Sequence, residues 1–157
     1  MNKIALFADV QNIYYTTRQA YGRQFNYRKL WQGISARGHI EVAIAYATDR
    51  GDEKQLKFQS ALKHIGFTVK LKPYIQRADG SAKGDWDVGI TLDILDAARQ
   101  VDTVVLLSGD GDFDLVLEKI RNDYAVNSEV YGVPDLTAKS LIDSANAFYR
   151  IDGELLL

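Results

Sequence analysis

Residues 104–113, Val-Val-Leu-Leu-Ser-Gly-Asp-Gly-Asp-Phe, join an uninterrupted apolar run to a short acidic loop. Consecutive apolar residues of this kind favour a strand that is buried on both faces, as parallel strands usually are. A second such run, residues 3–9, also ends in an aspartate, Asp9. Each run is followed by a segment with helical character. The pattern therefore predicts strands of a parallel sheet that are connected by helices.

The same alternation extends along the whole chain. Strands are predicted over residues 3–9, 39–48, 67–74, 104–107, 126–133 and 148–151. Helices are predicted over residues 10–21, 27–37, 52–65, 85–100, 113–124 and 138–147. This order indicates an α/β protein with a mainly parallel sheet and helices on both faces. The sequence contains no internal repeat and no low-complexity linker, so we expect one domain over residues 1–157.

Composition narrows the class of protein. Of the 157 residues, 46% are apolar and 25% are charged, which is typical of a globular protein. The chain has no cysteine, and this excludes disulfides and thiolate metal sites. The apolar run near the amino terminus is too short for a signal peptide or a membrane span. We therefore expect a cytoplasmic protein without membrane contact.

The net charge of −2 conceals an uneven distribution of charge. Residues 1–83 contain 14 Lys/Arg and 6 Asp/Glu, whereas residues 84–157 contain 5 Lys/Arg and 15 Asp/Glu. Two solvated halves of different composition would account for this difference. The alternative is a cluster of carboxylates that needs cations, beside a basic surface that could hold a polyanion.

Carboxylates follow two of the predicted strands directly. Asp9 ends the first strand, and Asp110 and Asp112 follow the strand over residues 104–107. Gly109 and Gly111 permit a tight turn at this second exit. Because ligands of parallel sheets bind beyond the carboxyl ends of the strands, these aspartates are candidates for a functional site.

The helix predicted over residues 85–100 adds a third source of acids. Its apolar arc is predicted to contain Val88, Ile90, Leu92, Ile94, Leu95, Ala97 and Ala98. Asp87 falls near the middle of this arc, whereas Asp93 and Asp96 are predicted on the other side of the helix. An ionised carboxylate on a buried face is costly unless it is paired or binds a metal ion. The alternative for Asp87 is an acid in the first turn that the helix dipole favours.

Four acids are thus candidates for one metal centre: Asp9, Asp87, Asp110 and Asp112. An all-oxygen cluster favours Mg²⁺ or Mn²⁺, and such an ion would offset the repulsion between the carboxylates. A centre of this type can activate water and stabilise the charge that develops on a phosphodiester. Asn12 lies one helical turn from Asp9 and could position water or phosphate, and Ser108 could donate a hydrogen bond to a carboxylate or a phosphate.

Other motifs are incomplete. The run from Asp110 starts like a calcium-binding EF-hand loop, but Leu115 replaces the required glycine and Arg121 the closing glutamate. The chain contains neither a P-loop nor a dinucleotide-binding fingerprint. His39 and His64 stand at the ends of predicted elements without the spacing of metal ligands, so we expect structural roles for both.

Three segments together resemble the NYN domain, a branch of the PIN-like nuclease superfamily, and within it the bacterial LabA-like group. They are residues 7–12 (Phe-Ala-Asp-Val-Gln-Asn), residues 83–87 (Lys-Gly-Asp-Trp-Asp) with Asp93 following, and residues 108–113 (Ser-Gly-Asp-Gly-Asp-Phe). A weaker match lies at residues 140–141 and 145–148, where Asn146 stands in place of an aspartate that the family often shows. In order and spacing the resemblance covers nearly the whole chain.

The resemblance implies a Rossmann-like, three-layer α/β/α fold with a mainly parallel sheet. It also implies a metal-dependent endoribonuclease with RNA as its partner and Mg²⁺ or Mn²⁺ as its cofactor. Carried over to this chain, the catalytic residues and metal ligands would be Asp9, Asp87, Asp110 and Asp112. The supporting residues would be Asn12, Lys83, Asp93 and Ser108.

Aromatic side chains in the first part of the chain are available to stack on bases or to pack in the core. They are Tyr14, Tyr15, Tyr21, Tyr27 and Trp31. Two other functions stay open: an RNA-binding regulatory module with weak or no turnover, and a phosphatase of the haloacid-dehalogenase type. The phosphatase motif requires a second aspartate where Gln11 stands. The apolar residues 151–157 are predicted to pack on the domain itself, with a homodimer as the alternative.

Overall fold

The structure is a computed structural model that describes residues 1–49, 51–73, 75–76, 82–83 and 86–157. The strands are β1 (Lys3–Asp9), β2 (His39–Asp49), β3 (Thr68–Pro73), β4 (Ile75–Gln76), β5 (Ala82–Lys83), β6 (Thr103–Leu107), β7 (Asn127–Gly132) and β8 (Ala147–Arg150). The helices are α1 (Val10–Tyr21), α2 (Tyr27–Ser35), α3 (Glu53–Ile65), α4 (Asp87–Ala98), α5 (Asp114–Tyr124) and α6 (Lys139–Ser144). The predicted alternation is confirmed, although the predictions for residues 74 and 85 lie outside the described residues. Within the described ranges, no helix has both the length and the apolar character that a membrane crossing requires.

Six strands form one sheet in the order β3-β2-β1-β6-β7-β8, and every neighbouring pair is parallel. The chain first places β2 and β3 on one side of β1, and then places β6, β7 and β8 on the other side. The carboxyl ends of β1 and β6 are therefore adjacent, with Ala8 paired to Leu107. In open parallel sheets this reversal of strand order is the usual position of a ligand site.

Helices cover both faces of this sheet. Helices α1, α2 and α3 pack on one face, and α4, α5 and α6 pack on the other. Each face of the sheet has its own hydrophobic core. Alternate side chains of β1 pack into these two cores, Leu6 on the first face and Phe7 on the second. Strand β6 is buried along its whole length, which explains its uninterrupted apolar sequence. The three-layer α/β/α arrangement is thus confirmed.

Polar contacts hold α4 on the sheet in addition to apolar packing. The carboxylate of Asp93 accepts hydrogen bonds from the Tyr46 hydroxyl on β2 and from Lys70 Nζ on β3, each at 2.7 Å. Trp86, directly before α4, donates from Nε1 to the backbone oxygen of Ala47 at 2.9 Å. These contacts tie both the beginning and the middle of α4 to strands β2 and β3.

The prediction for the buried face of α4 is wrong, because this face is narrower than the predicted apolar arc. Val88 and Leu92 are 72% and 57% exposed, and the buried stripe consists of Ile90, Ile94, Ala97 and Ala98. Asp93 borders this stripe, although it was predicted on the opposite side. A helix on a sheet buries only one stripe of its surface, and Asp93 can lie at its edge because Tyr46 and Lys70 bind its carboxylate.

The last helix is shorter than predicted, since α6 ends at Ser144. Asn146 follows it and bonds to β7: its Oδ1 accepts from the backbone N–H of Ser128 at 2.9 Å, and its own N–H donates to the Ser128 backbone oxygen at 3.0 Å. These bonds direct the chain into β8, which pairs with β7 at the edge of the sheet.

The carboxyl-terminal residues pack on the chain itself. Leu156 is 6% exposed and forms an antiparallel bridge with Phe25. Arg23 donates hydrogen bonds from its side chain to the backbone oxygens of Leu156 and Leu157. The arrangement agrees with the predicted packing of this apolar segment on its own domain.

Two buried tyrosines predict a loss of stability at alkaline pH. Burial raises the pKa of Tyr27, and the charge of Asp9 raises it further. Burial and the hydrogen bond to Asp93 raise the pKa of Tyr46. The folded state therefore keeps protons that the unfolded state releases above about pH 10. Consequently the free energy of unfolding falls as the pH rises beyond that value, by about 1.4 kcal/mol per pH unit for each tyrosine.

Urea denaturation at a series of pH values around and above the ordinary tyrosine pKa would measure this slope. We expect Tyr27→Phe and Tyr46→Phe each to make the slope shallower, because phenylalanine has no proton to release. Deprotonation of lysines that do not contact either ring or its partners is common to all three proteins and cancels in the comparison. Equal slopes in the wild type and both variants would contradict the prediction.

Candidate metal centre

Asp9 ends β1 and caps α1 from a buried position, with 8% of its surface exposed. Its Oδ1 accepts from the backbone N–H of Asn12 at 3.5 Å, and its Oδ2 accepts from the Ser108 hydroxyl at 3.1 Å. A buried carboxylate requires partners of this kind. They hold Asp9 at the junction between the ends of β1 and β6.

The acidic loop after β6 is fixed by hydrogen bonds to α1 and within itself. The backbone N–H of Gly109 donates to Asn12 Oδ1 at 2.9 Å, and that of Asp110 donates to Ser108 Oγ at 3.2 Å. Asp110 Oδ1 accepts from the backbone N–H of Asp112 at 2.9 Å and caps a short 3₁₀ turn. Side chains near the end of β1 therefore determine the course of the loop that carries two of the predicted acids.

Asp87, the first residue of α4, meets this loop from the other face of the sheet. In the described part of the chain, one group of three acids has carboxylate oxygens that all lie within 4.8 Å of one another: Asp87, Asp110 and Asp112. Oxygen ligands on opposite sides of one divalent ion are about 4–5 Å apart, so these three oxygens can surround a single ion. Asp87 and Asp110 are half-buried and Asp112 is exposed, which leaves the centre open to solvent on one side.

An open cleft of about 220 Å³ lies over the acids. Its lining residues are Asp9, Gln11, Asn12, Tyr15, Thr16, Asp87 and Asp110. The structure thus brings all four predicted acids to one end of the sheet, but in unequal positions. Asp87, Asp110 and Asp112 form the group of close oxygens, whereas Asp9 flanks that group and is bound by Ser108.

The four predicted supporting residues occupy different surroundings. Asn12 and Ser108 belong to the hydrogen-bond network beneath the cleft. Asp93 lies further along α4 and pairs with Lys70 instead of joining the acids. Lys83 is in β5, and its side chain lies outside the described part of the structure. The functional roles of these residues stay predictions.

Besides Tyr15, which is predicted to stack on bases or to pack in the core, the cleft contains two residues that are not among the predicted site residues, Gln11 and Thr16. Both are on α1, close to Asn12. Thr16 is four residues after Asn12, and residues at this spacing share one face of a helix. Helical spacing from Asn12 was therefore the signal that could have identified Thr16, whereas no such spacing relates Gln11 to Asp9 or Asn12.

The parallel sheet and the acids at its strand-order reversal define a class, the Rossmann-like α/β proteins with an acidic centre at the carboxyl ends of the strands. The family model of the NYN domain matches residues 3–152, and the chain belongs to this family. It is 30% identical over 128 residues to Low amplitude and bright protein LabA of Synechococcus elongatus, covering 76% of this chain and 68% of that protein. It is also similar to the crystal structure of a protein of unknown function from Vibrio parahaemolyticus, with a TM-score of 0.94 and 52% identity over 99% of this chain and 96% of that one. The predicted resemblance is confirmed.

Close packing of the acidic loop predicts that Gly109→Ala destabilises the protein. A Cβ atom at Gly109 would lie 2.6 Å from the backbone oxygen of Leu136 and 3.2 Å from Cα of Thr137. Overpacking against backbone costs about 1–3 kcal/mol, and we expect a decrease of that size in the free energy of unfolding. Chemical denaturation measures it.

Gly33→Ala is the matched control. Gly33 is in α2, and a Cβ atom there would meet nothing within 4 Å. Alanine in this helix should raise the free energy of unfolding by about 0.5–1 kcal/mol, because glycine loses more conformational freedom on folding. If Gly109→Ala is as stable as the wild type, the loop does not pack as described.

Proposed function

We propose that this protein is an endoribonuclease that hydrolyses RNA phosphodiester bonds with a divalent metal ion held by Asp87, Asp110 and Asp112. The observation that carries the proposal is the convergence of these three carboxylates, whose oxygens lie within 4.8 Å of one another. Membership of the NYN family supports a nuclease-like role. Asp9 contributes a fourth catalytic acid from the same cleft.

The donor atoms fit Mg²⁺ or Mn²⁺. Carboxylate oxygens are hard ligands that suit these ions, and the sequence has no cysteine to favour a softer metal. His39 begins β2, at the opposite end of the sheet from the acids. Carboxylates at this separation repel one another, and a bound cation would turn that repulsion into a favourable interaction.

Asp9, Asn12 and Ser108 have proposed roles around the metal ion. An ion at this centre would supply charge neutralisation on the phosphate and lower the pKa of a water molecule. Asp9, oriented by Ser108, accepts a proton from the attacking water, whose oxygen forms the new bond to phosphorus. The bond from phosphorus to the leaving ribose oxygen breaks, and that oxygen takes a proton from solvent. The side-chain oxygen of Asn12 accepts a hydrogen bond from the backbone of Gly109. The side-chain NH₂ group of Asn12 would donate a hydrogen bond to a phosphate oxygen.

The surroundings of the acids support a polyanionic substrate. The exposed position of Asp112 leaves the centre accessible to a polymer chain. Lys72 Nζ lies 4.7 Å from the centre of the Trp86 ring, and Trp86 directly precedes Asp87. A positive charge near the start of α4 suits the phosphate of a neighbouring nucleotide. An RNA substrate also agrees with the predicted cytoplasmic location.

Three expectations from the sequence stay predictions. They are the cytoplasmic location, the single domain over residues 1–157 and the homodimer.

Cleavage of labelled single-stranded RNA tests the proposal. We expect the wild type to cut the RNA in the presence of Mg²⁺ or Mn²⁺ and to be inactive in excess chelator. Asp110→Asn should lower the rate by at least about a hundredfold, because it removes a charged ligand from the centre. The change preserves the shape of the side chain and its ability to accept a hydrogen bond from Asp112.

Asp114→Asn is the control, since Asp114 follows the same loop at the start of α5 but lies outside the group of close oxygens. It should retain activity close to that of the wild type. Equal activity in Asp110→Asn and the wild type would contradict the metal centre. Salt-dependent retention of RNA without cleavage under any metal would instead favour the regulatory RNA-binding module.

A further inference from the structure

Tyr15 places an aromatic ring on the wall of the acidic cleft. The side chain is 49% exposed and lines the cleft together with Asn12 and Thr16. Asn12 and Tyr15 are three residues apart on α1 and thus share one face of the helix. Through Asn12 and the backbone of Gly109, this face is joined to the loop that carries Asp110.

The other aromatic residues of this part of the chain have different environments. Tyr27 is buried, Trp31 packs against the core, and the hydroxyl of Tyr21 donates to the backbone oxygen of Ile151. Tyr14 is exposed to a similar extent as Tyr15, but it does not line the cleft. Tyr15 is therefore the member of this set that combines an exposed ring with a position at the acids.

The ring of Tyr15 is also supported from one side. The rings of Tyr14 and Tyr15 meet edge to face, with centroids 5.3 Å apart and planes at 75°. This geometry is favourable between aromatic rings and restricts the rotation of both side chains. A ring held in place before a ligand arrives loses less conformational freedom on binding.

We infer that Tyr15 is a base-stacking residue that makes the cleft selective for single-stranded RNA, an inference that rests on the ribonuclease function proposed above. A nucleotide next to the scissile phosphate would place its base on the exposed ring, while a metal ion held by the acids would bind the phosphate. Every base offers a flat face for stacking, so the contact would carry little sequence preference. In a duplex the base is stacked and paired internally, and it cannot reach the ring.

The test uses short RNA oligonucleotides in which one nucleotide at a time is replaced by the fluorescent base 2-aminopurine, whose emission is quenched by stacking. Binding is measured in the Asp110→Asn background, where cleavage is expected to be blocked. We expect quenching at one position of the bound RNA. Tyr15→Ala should remove the quenching and weaken binding by about fivefold to a hundredfold, whereas Tyr15→Phe should preserve both.

Tyr14→Ala is the matched control, because Tyr14 has similar exposure on the same helix but lies outside the cleft lining. It should change the affinity by less than about threefold, the effect of losing only the supporting ring. In otherwise wild-type protein, Tyr15→Ala should raise KM for single-stranded RNA more than it lowers kcat. It should also narrow the preference for single-stranded RNA over a duplex of the same sequence.

Two results separate this inference from the proposed function. Unchanged quenching and affinity in Tyr15→Ala would overturn the stacking role, while metal-dependent cleavage would continue to support the ribonuclease. Absence of cleavage by the wild type would overturn the ribonuclease and the selectivity of cleavage assigned to Tyr15. The fluorescence measurement would even then decide whether Tyr15 stacks on a bound base.

Discussion

Strands β1 and β6 run side by side, although about a hundred residues of chain separate them, and the order of the sheet reverses between them. This pairing brings Asp9 at the end of one strand against Ser108 at the end of the other. The same junction lets Asn12, in the first turn of α1, bind the backbone of the acidic loop. A site assembled in this way depends on the sheet register, because a shift of one residue would point the terminal side chains to the opposite face.

The position of α4 is the second constraint on the acids, because their carboxylates repel one another and Asp87 has to be held close to Asp110. Asp87 comes from a helix on the opposite face of the sheet from α1, so its distance to Asp110 depends on where α4 lies. The bonds of Asp93 to Tyr46 and Lys70 fix that position without adding a charge to the centre. Asp93 thus holds α4 against β2 and β3 and lies outside the group of close oxygens, and its functional role as a supporting residue stays a prediction.

Much of the fold could be predicted from the sequence because buried parallel strands leave an unmistakable apolar pattern, as β6 does. The predicted convergence of Asp9 with Asp110 and Asp112 followed from the same argument, since parallel strands end at a common edge. Asp87 was predicted separately, from its position on the apolar arc of its helix. The extent of the buried face of α4 was wrong because exposed apolar residues, such as Val88 and Leu92, are indistinguishable from buried ones in a sequence. The early end of α6 depends on the bonds between Asn146 and Ser128, which are distant in the chain and leave no local signal.

The surroundings of the aromatic residues could not be predicted from the sequence either. Their sequence allowed either core packing or base stacking, and tertiary contacts show which rings pack in the core and which ring lines the cleft. Tyr27 lies against Phe25 and Phe67 in the core, whereas Tyr15 lines the cleft. A residue type with two plausible uses can be assigned only when its neighbours are known.

The most direct test of the metal centre is a crystal structure of the protein soaked in Mn²⁺, with anomalous scattering measured to locate the ion. We expect an anomalous peak between Asp87, Asp110 and Asp112, at about 2 Å from an oxygen of each carboxylate. The peak should be absent from crystals of Asp110→Asn treated in the same way. Clear density for the three carboxylates with no ion between them, or with Mn²⁺ bound only elsewhere, would contradict the account.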